Sequence, residues 1–346
     1  MNNIKIAILG LNQGYKLAVD AEAMPDVDLI AVAGMDELSV QRAKAMNKPL
    51  YTDYRELIDK VPLDCVCIAL PNRLHREAAE YCARRGLHLL CEKPIADNVT
   101  DAQAIIDVCK TNKVRLLVGH HRRSSSKIRK IRDIIASGKI GELISVHFMW
   151  VLAKDHPYFG VPWRTAPGGG PLLINSIHDI DDLRFTTGMK IDKVYAAARN
   201  NIRRNKVEDS IAIVMESEDG PTATYCVSDG IPSPWSYELT AKENPNFSFV
   251  DQQDCYFFMG TKGSIAFPSM TFYSYEQEHY GWYNPLKIEK LEVTDNDPMQ
   301  AELLHFIDVV RGEAEPICTG EDALASLKVV MAIKESAETG NPVFVG

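Results

Sequence analysis

The chain has 346 residues, 46% of them hydrophobic and 25% charged, with a net charge of −9. That size and composition suffice for one large domain or two ordinary ones with a real core, and the acidic balance argues against nucleic acid or an anionic membrane surface as the main partner. No apolar run approaches the ~18 residues of a membrane span, the opening MNNIKIAILG lacks a signal-peptide pattern, and the eight scattered cysteines contain no Cys-x-x-Cys pair, so a cytoplasmic protein with buried thiols is expected.

The first third alternates two patterns. Apolar runs at 4–10 (IKIAILG), 28–34 (DLIAVAG), 64–70 (DCVCIAL), 88–92 (HLLCE) and 114–119 (VRLLVG) read as strands. Helical stretches separate them. One is preceded by an Asp53/Glu56 capping box, one spans 73–86 and stops at Gly86, and one opens with a Thr100/Gln103 capping box and runs to about Asn112. Continuous apolar strands separated by helices predict a parallel sheet covered on both faces, in an open doubly wound domain over residues 1–122.

Residues 123–346 read differently. A helix near 125–136 is followed by alternating runs, LISVHFMWVL, KVYAAAR, SIAIVMES, TATYCVS, CYFFMG and SIAF, with GTKG at 260–263 as a hairpin turn and a last helix around 322–339. Few helices intervene, so an α+β domain with a large, mostly antiparallel open sheet is expected. Residues 230–254 form a long loop rich in Pro, Asn and aromatics, the kind used as a lid or an interface arm. Between these parts, 168–188 (GGGPLLINSIHDIDDLRFTTG) predicts a single helix with Gly170 as N-cap, Pro171 as first residue and Gly188 as terminator. On such a helix Asn175, His178 and Asp182 share one face, beside an apolar face of Leu173, Ile177 and Ile180.

Chemistry is suggested at several points. Gly10-Leu11-Asn12-Gln13-Gly14-Tyr15 follows the first strand, where a tight turn lets helix N–H groups face a pyrophosphate. It departs from Gly-x-Gly-x-x-Gly, with Asn12 and Tyr15 at the second and third glycine positions, and by itself is a weak signal. The acidic residue expected at the end of strand two is absent; Gly34 stands there, Asp36 follows, and the nearest basic residues, Arg42 and Lys44, lie further on. This favours NAD slightly and leaves NADP open. His178 has an ordinary pKa of about 6.5, suited to taking a hydroxyl proton near neutrality. The dispersed histidines show no ligand spacing, and no metal is expected.

The most specific motif is Leu90-Cys91-Glu92-Lys93-Pro94, together with Leu70-Pro71-Asn72 and His75, Gly119-His120-His121-Arg122-Arg123, Trp163-Arg164 and the 168–188 stretch. This combination resembles the Gfo/Idh/MocA oxidoreductases over nearly the whole chain. The resemblance implies a Rossmann domain plus an α/β domain with an open sheet. It also implies NAD or NADP held by Gly10, Asn12, Gln13, Asp36, Pro71, Asn72, His75, Glu92, Lys93, Trp163 and Arg164. Lys93, His178 and Asn175 become the candidate catalytic groups, and His121 and Arg123 join them as candidate substrate contacts. The family places an Asp four residues before its histidine; here that position is Ile174, and the neighbouring Asn175 can hydrogen-bond but supplies no charge.

The expected activity is hydride transfer between a nicotinamide and a secondary alcohol or ketone of a sugar, inositol or related polyol. His178 takes the hydroxyl proton, Lys93 steadies the alkoxide, and Asn175 orients the substrate. Two rivals are a retained-NAD glycoside-cleaving enzyme and a non-catalytic sugar or cofactor sensor. The partner is a small polyhydroxy molecule, and the open sheet suits a homodimer or homotetramer.

Overall fold

The computed structural model describes residues 3–166, 168–218 and 220–346. It divides into two units: residues 3–124 with 297–327, and residues 125–296 with 328–346.

In the first unit, β1 (Ile4–Leu9), α1 (Tyr15–Ala23), β2 (Val27–Ala33), α2 (Glu37–Ala45), β3 (Leu50–Tyr51), α3 (Tyr54–Lys60), β4 (Cys65–Ile68), α4 (His75–Ala83), β5 (His88–Glu92), α5 (Val99–Thr111) and β6 (Leu116–Gly119) alternate; five of the strands are the expected apolar runs, and the two-residue edge strand β3 is additional to them. The six strands pair in parallel in the order β3-β2-β1-β4-β5-β6. This is the doubly wound order in which chain direction reverses beside β1, so that loops after β1 and β4 open at the switch point. β4 and residues 6–9 of β1 are buried because helices cover both faces of the sheet. The capping box at Thr100 does not form: Asn98 caps α5 by accepting from the Asp101 backbone N–H. Asp53 does cap α3, through the Arg55 N–H.

In the second unit, α6 (Ser126–Ala136), β7 (Leu143–Val151), α7 (His156–Phe159), α8 (Pro171–Ile174), α9 (Ser176–Thr187), β8 (Lys193–Arg199), β9 (Ser210–Glu216), β10 (Thr222–Ser228), α10 (Tyr237–Thr240), β11 (Tyr256–Gly260), β12 (Gly263–Phe267), β13 (Thr271–Ser274) and β14 (Lys287–Lys290) follow. The chain then forms α11 (Pro298–Arg311), α12 (Gly320–Thr339) and β15 (Val343–Phe344). The nine-stranded sheet runs β14-β13-β12-β11-β7-β10-β9-β8-β15. It is antiparallel except where β7 and β10 pair in parallel.

One face of this sheet is buried: Val146, Phe148, Trp150, Ile211, Ile213, Tyr225 and Tyr256 are nearly inaccessible. On the other face, cross-strand pairing aligns Tyr195, Val214, Thr224, His147, Phe257 and Ala266 in one row. Tyr195, Val214 and Ile288 are exposed.

Two expectations need correction. The assignment of everything after residue 122 to the second unit fails for 297–327, which packs with the first: Arg311 bonds Asp26 at 2.5 Å, Lys16 bonds Asp297 at 2.8 Å, and the Val118 N–H donates to Cys318 O. The long loop 230–254 also contains the short helix α10, capped by Ser236.

Candidate functional site

In the first unit the loop after β1 is built by close approach. Gly10 has φ +101°, and a Cβ there would lie 2.3 Å from the Ala69 carbonyl, so only glycine fits. Gly14 caps α1, and the first turn of α1 carries no acidic residue, so its N–H end and positive dipole stay compatible with an anion. Asn12 and Gln13 are exposed on the turn between them. Asn12 Nδ2 donates to Asp36 Oδ2 at 2.6 Å. Asp36 also caps α2 through the Ser39 N–H at 2.8 Å, and this bond, more than its own partial desolvation, holds its carboxyl below the usual range. Sequence distance misplaced one residue: α2 carries Arg42 back to the loop, where its guanidinium donates to Leu11 O and Asn12 O and lies 4.5 Å from the Tyr15 ring centre. A basic group therefore does stand beside Asp36.

After β4, Pro71 and Asn72 enter a short 3-10 turn without a side-chain cap. His75 is fully buried at the start of α4. Its Nε2 faces Leu70 O at 2.8 Å and its Nδ1 faces Pro94 O at 3.1 Å, tying the loop after β4 to the loop after β5. Burial lowers its pKa, with those carbonyls opposing.

Lys93 follows β5 at the carboxyl end of the sheet, and Glu92 Oε2 accepts from its backbone N–H at 3.3 Å. Burial raises the Glu92 pKa while the Lys93 charge opposes it. Glu302 on α11 is buried as well; desolvation, then the neighbouring Glu92 charge, pushes its pKa well above the usual range. Nothing in the Glu92-Lys93-Pro94 motif announces Glu302. His121 belongs to this neighbourhood: desolvation, then the charges of Arg122, Lys93 and His120, lower its pKa to about 3, so the ring is neutral near pH 7. Arg123 is buried and donates to Ile317 O at 2.8 Å and Asp322 Oδ2 at 3.2 Å. This contact accounts for Arg123 by packing inside the first unit.

In the second unit the glycines of 168–170 have separate causes. Gly168 takes φ +91°, a Cβ at Gly169 would meet Trp163 O at 2.2 Å, and one at Gly170 would meet the Glu208 carboxylate. Gly170 and Pro171 start a helix and Gly188 ends one, with φ +70°. The expected single helix is broken at Asn175 (φ −109°, ψ −50°) into α8 and α9, and His178 N–H donates to Asn175 O at 3.0 Å. Asn175 thus sits at a junction, partly exposed, where its side chain can meet a ligand.

The amphipathic face expected for α9 is also absent, since residues 176–183 are all buried. His178 is 7% exposed. Asp179 is held by Tyr225 Oη at 2.6 Å and by Tyr256 Oη, and Tyr256 also reaches Asp182 at 3.3 Å. Asp182 is therefore a core group, not a surface one. Phe148 stacks on Tyr256 with ring centres 3.9 Å apart, which keeps the phenol in place.

Trp163 is exposed on a 3-10 turn (Pro162–Thr165). Arg164 lies 4.0 Å from the Tyr158 ring centre and donates to Tyr158 O at 2.9 Å. Lys154, just after β7, was not foreseen as a site residue; its Nζ donates to Asn175 Oδ1 at 2.8 Å. A lone lysine at a strand end carries no sequence signal, and only folding shows its partner.

Two family models match this chain: the oxidoreductase family with an NAD-binding Rossmann fold over residues 4–120, and the GFO/IDH/MocA C-terminal domain over residues 128–266. The chain belongs to the Gfo/Idh/MocA oxidoreductase family. It is 29% identical over 294 residues to the 1,5-anhydro-D-fructose reductase of Ensifer adhaerens, covering 84% of this chain and 82% of that one. It is 27% identical over 196 residues to the myo-inositol 2-dehydrogenase of Thermotoga maritima, covering 56% and 58%. Its fold matches an Agrobacterium radiobacter oxidoreductase solved with NAD+, L-tartaric acid and magnesium, with a TM-score of 0.82, 20% identity, and coverage of 100% and 99%. Membership makes this chain an oxidoreductase of the NAD-binding Rossmann class. Among the described residues, no helix is long and apolar enough to cross a membrane.

Proposed function

We propose that this family member is a dehydrogenase or reductase acting on a secondary alcohol or ketone of a sugar, inositol or related polyhydroxy compound, with NAD as the preferred cofactor. The observation that carries the reading is Lys93 at the carboxyl end of β5, in the same unit as the Gly10 turn and the acid-free N-terminus of α1. Those features fit a dinucleotide: the helix end suits a pyrophosphate, and Asp36 suits a ribose hydroxyl. When bound, the nicotinamide supplies the hydride acceptor or donor.

The chain's own residues do the rest. Lys93 places an ammonium on the substrate oxygen and lowers the energy of its alkoxide. His178 takes the hydroxyl proton, or returns it in the reduction. Asn175 donates to a substrate oxygen, and the neutral His121 ring helps line the site. Trp163 serves the cofactor side, as do Asn12, Gln13, Pro71 and Asn72. His75 and Glu92 support the two loops by packing and hydrogen bonding. Arg123 we read as structural.

The test is turnover. Sugars, cyclitols and sugar acids are offered with NAD and NADP separately, following absorbance of the reduced nicotinamide. Lys93→Met and His178→Ala are each expected to lose more than ~100-fold in turnover with the fold retained by circular dichroism. Near-normal activity in either variant overturns the assignment of roles. Association of two or four copies through the sheet face that exposes Tyr195, Val214 and Ile288 is part of the same reading. So is a reducing cytoplasm, in which eight cysteine thiols, seven of them buried, are stable.

A further inference from the structure

Around Asn175 the second unit gathers hydrogen-bond donors. Lys154 Nζ donates to Asn175 Oδ1 at 2.8 Å and to Tyr158 Oη at 3.3 Å, and lies 4.3 Å from the Tyr158 ring centre. Because the amide oxygen is taken by an ammonium N–H, Asn175 turns its NH2 to any ligand. Because Tyr158 Oη accepts from Lys154, its own proton remains to be given. Arg164 stacks on the same ring, and its buried Nε has no protein partner among the described residues. All four side chains are partly exposed.

The carboxylates nearby are occupied. Arg203 holds Asp229 at 2.5 Å, with Lys154 at 3.6 Å; Glu238 accepts from the Trp150 indole at 2.7 Å, and Glu208 from the Leu172 N–H at 3.1 Å. A neutral polyol suits such a cluster poorly. Each hydroxyl must donate as well as accept, and a surface made of donors leaves its proton unmatched. A carboxylate accepts only, through two oxygens in one plane, and charge-assisted bonds from Lys154 and Arg164 strengthen it. A phosphate dianion brings more charge close to Asp229 and Glu238, and matches less well.

We propose that Lys154, Asn175, Tyr158 and Arg164 form a carboxylate subsite, so that the preferred substrates are polyhydroxy acids, not neutral polyols. This rests on the reading that the Asn175–His178 region binds substrate.

The test compares glucose, glucuronate, gluconate and glucose 6-phosphate with the full chain, by initial rates with either cofactor and by calorimetric binding in the presence of NAD. An acid is expected to exceed glucose by at least about tenfold in kcat/KM or affinity, and Lys154→Met is expected to bring that ratio towards one. Arg164→Gln, checked like Lys154→Met for an unchanged melting temperature, gives a second variant should the first misfold, with the same loss of preference expected. Equal or better binding of glucose, preference for the phosphate ester, or a ratio unmoved in folded variants overturns the carboxylate subsite. Preferential binding of an acid without reduction of the cofactor on any substrate supports the subsite and overturns the redox reading instead.

Discussion

Asn12 donates a 2.6 Å hydrogen bond to the carboxylate of Asp36, joining the turn after β1 to the cap of α2. The bond fixes a negative charge beside the turn where a dinucleotide's adenosine half is expected. Asp36 can accept from a ribose hydroxyl, whereas a 2′-phosphate meets its charge.

The first prediction follows from that charge. The wild type prefers NAD, and Asp36→Ser raises the NADP/NAD ratio of kcat/KM by about tenfold or more, equivalent to ~1.4 kcal/mol, because Arg42 remains beside the loop to receive the phosphate. Steady-state kinetics with both cofactors check it. A wild type that already prefers NADP sinks the role given to Asp36.

His121 predicts acid sensitivity. Its folded pKa of about 3 lies below the ordinary 6.5, so between those values the unfolded chain binds the extra proton. Its contribution to stability is therefore complete above pH 6.5 and is lost as the pH falls towards 3. His121→Gln should melt with a flatter pH dependence than wild type over that window, by up to about 1.4 kcal/mol per pH unit. Parallel profiles for the two proteins would contradict the burial of a neutral ring.

Lys154 predicts the opposite end of the scale. Burial, partly offset by Asp229 and Glu238, lowers its pKa to about 8. A ligand carboxylate needs the protonated form, so KM for acid substrates should climb as the pH rises through 8, and Lys154→Met should abolish that climb. A KM that stays level between pH 7 and 9 in wild type argues that the ammonium is not a ligand contact.

The Asp179 phenol clamp predicts a stability cost. Tyr225→Phe leaves a buried carboxylate with one donor fewer and should cost about 1.5–3 kcal/mol, read as a lower denaturation midpoint at unchanged slope. The double variant with Tyr256→Phe should cost more than either alone. A midpoint unmoved in both single variants removes the clamp from the core's energetics.

On the uncovered sheet face, Val214→Glu combined with Tyr195→Glu should turn an oligomer into a monomer by light scattering, since charges in an apolar contact go unmatched. A wild type already monomeric at micromolar concentration removes the proposed association.

Much of this was legible along the chain. Five of the six strands of the first sheet announce themselves as continuous apolar runs because both faces are covered, and Glu92-Lys93-Pro94 sits at the end of one of them; the two-residue edge strand β3 does not. What stayed hidden depends on distance in space. Arg42 returns to the first loop only because α2 carries it there. The break at Asn175 interrupts a stretch whose composition reads as one helix. α9 looked amphipathic because its aspartates resemble surface residues, whereas tyrosines arriving from β10 and β11 hydrogen-bond Asp179 and Asp182 in the core. Lys154 and Glu302 lie in segments without motif, and α11 itself passed unread between polar loops.

The return of residues 297–327 to the first unit has a consequence for synthesis. A ribosome must pass through residues 125–296 of the second unit before α11, with Arg311 for Asp26, and then Cys318, whose carbonyl accepts from the Val118 N–H, become available. The cofactor-binding unit therefore reaches its finished form late, and a fragment cut at 124 would emerge with part of its wall missing. Exchange of modules between relatives should respect three crossings of the chain, not one.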